Sequence, residues 1–159
     1  MLTGDITMNF FRTDGQAALN TLLVTTRETL DHYRDAMELV DTKLAELFRD
    51  ICGQRRSFVH RLETAVRASG TLPAVPDPDK EAAEMLLHHV AALIKSHYAR
   101  DLLEQRIEGE KKLAALVIEA QTAELDSPPT TLLNDFAQHI SDTDAKLQSL
   151  QTQVSAQEE

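Results

Sequence analysis

The sequence predicts an all-α fold, an antiparallel four-helix bundle, and three observations carry that prediction. Leu, Ala, Glu and Gln are frequent, aromatic residues make up 4% and Trp is absent, a balance that favours helices over strands. Apolar residues recur alternately three and four apart over four long stretches. The breaks between stretches are short or proline-rich, so the chain turns back on itself instead of forming one long coiled coil. At 159 residues and 42% hydrophobic, the chain is long enough for one core without disulfide or metal staples.

Residues 1–13 lack periodicity and read as a loose arm, leaving 14–154 as a single bundle domain and 155–159 as a fraying tail. Asp14 is the expected cap of a first helix running to about Val40, with Leu19, Leu23, Thr26, Leu30, Tyr33, Met37 and Val40 on its seam. Asp41 and Thr42 cap a second helix with the stripe Leu44, Phe48, Ile51, Arg55, Phe58, Leu62 and Ala65, closed near Ser69 by Gly70. A connection this short makes the two helices antiparallel neighbours. Pro73, Pro76 and Pro78 then define a linker over 71–79.

Met85, Leu86, Val90, Leu93 and Ile94 mark one additional short helix over about 80–97, followed by a bend near Ser96 to Arg100. The third long helix carries Leu103, Ile107, Glu110, Leu113, Val117 and Ala120. Ser127 followed by Pro128 and Pro129 signals the start of the fourth, whose stripe is Leu133, Phe136, Ile140, Thr143, Leu147, Leu150 and Val154.

Composition excludes several classes of function. Lys and Arg number 16 against 26 Asp and Glu, and a net charge of -10 repels nucleic acid and anionic lipid. The N-terminus has no basic region followed by an apolar run, and no stretch approaches the roughly 20 apolar residues that span a bilayer, so the expected setting is the cytoplasm. A single cysteine, Cys52, leaves no Cys-rich metal site or disulfide framework, and its place beside Ile51 predicts an inert packed thiol. No nucleophile elbow or phosphate-cradling glycine loop is present.

Two charged residues interrupt the apolar seams near mid-helix, Arg55 in the second helix and Glu110 in the third. A lone buried charge costs several kcal/mol, so opposite charges at similar heights are best explained as partners. Tyr33 and Thr143 are the groups available to complete their hydrogen bonds. A glycine lies near each charge, Gly53 and Gly109, and each costs about 1 kcal/mol against alanine in a helix interior. Close approach of the second and third helices would account for both; tolerated exposed glycines would account for them equally well.

The run from Leu44 through Phe48 and Arg55 to Leu62 and Gly70, with Leu102-Leu103-Glu104-Gln105-Arg106-Ile107-Glu108-Gly109-Glu110, resembles a family of small bacterial ferritin-like domains of unknown function. The resemblance spans about Ala17 to Leu150 and rests on spaced Leu, Arg and Glu residues, not on a catalytic fingerprint. It implies a test, because di-iron members place Glu on two helices and Glu-x-x-His on the other two. The chain has no Glu-x-x-His: Arg55 and Phe58, and Ile140 and Thr143, hold the corresponding inward positions. Glu110 is the one carboxylate whose seam position fits, with Glu104 and Glu108 flanking. The resemblance therefore implies a degenerate site in which the Arg55 guanidinium replaces the charge that metals would supply.

Other pairs share a helix face: Glu28 with His32, Glu84 with His88, Asp135 with His139, and His139 with Asp142. All lie off the seams and read as solvent-facing pairs, as does His60 with Glu63. His88 and His89 point to different faces.

Three functional expectations result. The first is a non-catalytic bundle with no cofactor, acting through assembly or a protein partner. The second is an iron-binding or iron-oxidising protein using Glu104, Glu108 and Glu110, which requires Arg55 to lie outside the cluster. The third is a stress-related accessory protein holding a small apolar ligand, with Met37, Met85 and Phe58 as wall residues. Leu86, Leu87, Val90 and Leu93 suggest a homo-oligomer, with a dimer favoured.

Overall fold

The computed structural model describes residues 12–75 and 98–158. Among these residues four helices form in order: α1 Asp14–Ala36, α2 Thr42–Ala68, α3 Tyr98–Thr122 and α4 Thr130–Glu158. The short helix expected over 80–97, with its apolar residues, and the Glu84, His88, His89 and His97 side chains lie outside the described residues.

Local chemistry sets the ends. Thr13, not Asp14, caps α1: its side chain accepts from the Gln16 backbone N–H, and the Gln16 side chain accepts from the Thr13 N–H. That reciprocal box satisfies two of the amide donors at the helix start. α1 stops at Ala36 instead of Val40, and Met37 to Val40 turn the chain; Met37 and Val40 still pack on the core from the turn. Asp41 caps α2 through the Leu44 N–H at 2.9 Å, and Gly70 follows Ser69 at φ +92°, a backbone conformation that glycine adopts without penalty. Tyr98 to Arg100 are helical, so α3 begins where a bend was expected. α4 continues through Ser155 to Glu158, where a frayed tail was expected.

Neighbouring helices are all antiparallel. α1 packs on α2 and on α3, and α4 packs on α3 and, less closely, on α2. Gly15 at the start of α1 meets Glu124 and Leu125 beyond the end of α3, and Thr29 lies against Gly109. α2 and α3 are therefore diagonal and parallel. The chain leaves α2 at one end of the bundle and enters α3 at the other.

The interior is closed by Leu19, Leu22, Leu23, Phe48, Leu62, Leu103, Leu113, Leu133 and Phe136, each at most 1% exposed. Burial of this kind, at about 25 cal/mol per Å² of apolar surface, is what holds the four helices together. Residues 71–75 lie along α1: the Ala74 N–H donates to Asn20 Oδ1 at 2.7 Å, and Arg27 donates to the Ala74 carbonyl at 3.0 Å while pairing with Glu63 at 2.7 Å. Among the described residues, no helix is long and apolar enough to cross a membrane.

Close approach falls at a different glycine from the two expected. A Cβ on Gly53, which lies exposed on α2, would meet nothing within 4 Å, and one on Gly109 would only touch Thr29 of the neighbouring α1 at 4.0 Å. A Cβ on Gly15 would overlap the Glu124 carbonyl oxygen and the Leu125 side chain.

Candidate functional site

At mid-height the apolar interior gives way to a cluster of polar groups from all four helices. α2 contributes Arg55 and α3 contributes Glu110, and both side chains are 0% exposed. Arg55 Nη1 donates to Glu110 Oε1 and Nη2 donates to Oε2, each at 2.8 Å, the planar fork meeting both carboxylate oxygens. α1 adds two hydroxyls: Tyr33 donates to Glu110 Oε1 at 2.7 Å, and Thr29 Oγ1 accepts from Arg55 Nη1 at 3.0 Å. Thr143 is buried on α4, yet the hydroxyl that meets Arg55 is that of Thr29.

α4 contributes His139, 9% exposed, with Nε2 lying 3.4 Å from Arg55 Nε and 3.3 Å from Nη2. Its ring stacks on Phe58 at 5.0 Å, and Phe58 stacks on Phe136 at 4.7 Å. Burial, with the adjacent Arg55 charge, lowers the His139 pKa from its ordinary 6.5 to about 4. The imidazole is thus neutral near pH 7 and accepts at Nε2. It is not the solvent-facing partner of Asp135 or Asp142: Asp135 pairs with Arg61 at 3.0 Å and Asp142 accepts from Gln138.

A second guanidinium lies beside the pair. Arg106 is 6% exposed, lies 5.7 Å from the Tyr33 ring centroid, and its Nε has no hydrogen-bond partner among the described residues. Burial lowers its pKa from the usual arginine value. Burial also raises the Tyr33 pKa well above the ordinary tyrosine value, and the Glu110 carboxylate adds to that, so the hydroxyl keeps its proton.

Chemically this is a saturated centre. Both Glu110 oxygens accept from Arg55 and one also accepts from Tyr33, so the carboxylate offers little free coordination to a metal and is poorly placed as a base. Glu104 and Glu108 do not join it. They lie exposed on α3, with Glu108 3.6 Å from Lys111, so the three carboxylates of the iron alternative do not converge. Among the described residues, no group of three or more His, Cys, Asp or Glu side chains is placed to hold a metal ion.

A family model for a domain of unknown function, DUF2383, matches residues 15–123. The chain belongs to the DUF2383 family. Within this DUF2383 chain the matched region takes in α1, α2 and α3, and with them Thr29, Tyr33, Arg55, Arg106 and Glu110; His139 lies beyond it. Neither a curated protein nor a solved structure matches the chain.

Cys52 is 1% exposed, its Sγ 3.9 Å from the Leu30 carbonyl oxygen, and burial raises its thiol pKa. A thiol in that setting is a packing group, not a nucleophile.

Proposed function

We propose that this protein is a non-catalytic ferritin-like bundle in which a fixed ion pair takes the place of a metal centre, and that it acts by assembling with copies of itself or by binding a protein partner on its helix faces. The observation that carries this reading is the bidentate pair between Arg55 and Glu110, fully removed from solvent. A guanidinium at mid-height supplies positive charge where inward carboxylates would otherwise need a cation. The ferritin-like assignment draws further support from the chain path. Two antiparallel hairpins, with α2 ending and α3 starting at opposite ends of the bundle, call for a single long crossover, as ferritin-like folds have.

The sequence resemblance behind this reading is to small bacterial domains, and the setting that goes with it is the cytoplasm. For assembly, the outer face of α3 and α4 offers Ile118, 59% exposed, beside a groove lined by Ala114, Ala137 and Ser141 with Lys111 and Asp144 at the same groove. A two-fold copy could set its Ile118 in that groove and match lysine to aspartate.

The test is metal content. The full chain is incubated anaerobically with Fe²⁺, freed of unbound metal by gel filtration, and its iron measured. Iron well below one per chain is the expected result. Two irons per chain would overturn the reading and place an oxidase or storage role first.

A further inference from the structure

α2 and α4 pack least closely of the neighbouring helices, and at the end of the bundle where α3 begins they leave an open groove of about 460 Å³. Its apolar walls are Leu44 and Leu47 from α2, Leu103 from α3, and Leu150 and Val154 from α4. Leu103 is wholly buried and the other four are half-buried. Lys43 on α2 and Lys146 on α4 also line the groove; both are exposed, and neither has an ion-pair partner among the described residues. Asp41, the carboxylate that also lines the groove, is engaged in capping α2 through the Leu44 N–H.

In a chain of net charge -10, two lysines against one carboxylate, itself engaged in a helix cap, give this apolar groove a locally positive balance. Apolar walls favour a hydrocarbon chain, and the lysines favour an anionic head at the opening. The volume lies within the roughly 300–1,000 Å³ of small-molecule sites. We infer that this groove binds a single long-chain carboxylate, its acyl chain against the five apolar side chains and its carboxylate between Lys43 and Lys146. A cationic amphiphile of the same chain length lacks the matching head charge and binds more weakly. This site lies apart from the Arg55 cluster, and the inference stands whether or not that cluster is purely structural.

Laurate, kept below its micellar concentration, is the probe, titrated calorimetrically into the full chain with dodecyltrimethylammonium as the control of opposite charge. Saturable binding near one laurate per chain is expected, with weaker binding of the cation. The double variant Lys43→Glu, Lys146→Glu should weaken laurate roughly tenfold or more and strengthen the cation. Leu47→Trp, which fills the groove, should weaken both. A readout on the unmodified chain does not depend on how the variants fold: laurate should shift the methyl resonances of Leu44, Leu47, Leu150 and Val154. No saturable uptake, shifts confined to other methyl groups, or unchanged affinity in folded charge-reversed and groove-filled variants would overturn the inference.

Discussion

His139 turns Nε2 toward the Arg55 guanidinium, 3.3 Å from Nη2, although both side chains are positively charged when protonated. The contact is favourable only while the imidazole is neutral. Phe58 and Phe136 pack around the ring, and Asp142 and Lys146 are the other charged groups acting on it, the first favouring and the second opposing protonation.

Acid should therefore weaken the fold through this residue. The folded His139 pKa of about 4 lies below the ordinary 6.5, so the unfolded chain binds the extra proton first. Its stabilising contribution is complete above about pH 6.5, falls as pH drops from there to about 4, and totals up to about 3 kcal/mol. Urea midpoints measured across pH 7 to 4 should show the loss, and His139→Gln should flatten the slope. An equal slope in wild type and variant would exclude His139 as its source.

Removing one member of the ion pair strands the other in a site closed off from solvent. Arg55→Met should cost about 3–5 kcal/mol, whereas Arg55→Met with Glu110→Leu should recover much of it. Chemical denaturation of the single and double variants measures the difference. A silent single change would mean that Arg55 and Glu110 are not a buried pair.

Tyr33→Phe removes only the hydroxyl that donates to Glu110 Oε1 and leaves the ring against Phe48 at 5.3 Å. A hydrogen bond to a charged acceptor contributes about 1.5–3 kcal/mol, so the thermal midpoint should fall while the helical signal stays unchanged.

The glycines should respond in opposite directions. Gly53→Ala places a methyl group in open space and should raise stability by about 1 kcal/mol. Gly15→Ala drives a methyl group into the Glu124 carbonyl and Leu125 and should lower it by about 1–3 kcal/mol. Thermal unfolding of the two variants side by side is the measurement.

Assembly through the α3–α4 face predicts that Ile118→Lys shifts the molar mass measured by light scattering toward the monomer without lowering the monomer's helical content. An unchanged mass would remove this face from the interface.

The helices were legible where period and packing agree. Every seam residue read for α3, from Leu103 through Glu110 to Ala120, is buried. On α1 the spacing ran on to Met37 and Val40, because residues in a tight turn can keep core contacts without remaining helical. His139 and Arg106 were missed because a strict three-four stripe is narrower than the face a bundle helix buries. His139 lies three residues after Phe136 and next to Ile140, and Arg106 precedes Ile107, so both sit at the edge of the stripe. Thr29 is hidden for the same reason, three residues after Thr26. The cap at Thr13 could have been read from the Thr-x-x-Gln spacing that closes the reciprocal box. That Gly53 and Gly109 lie on diagonal helices is a fact of helix order around the bundle, which periodicity does not encode.

Arg55 belongs to the first hairpin and Glu110 to the second. Leucine-rich seams slide past one another at modest cost, since one apolar contact substitutes for the next. An ion pair does not: shifting one hairpin by a single helical turn, about 5.4 Å, would leave two buried charges facing hydrocarbon. The pair thus works as an index mark between the halves, fixing their axial alignment. Each hairpin made as a separate chain would carry an unmatched inward charge, and that charge is satisfied only by the other half.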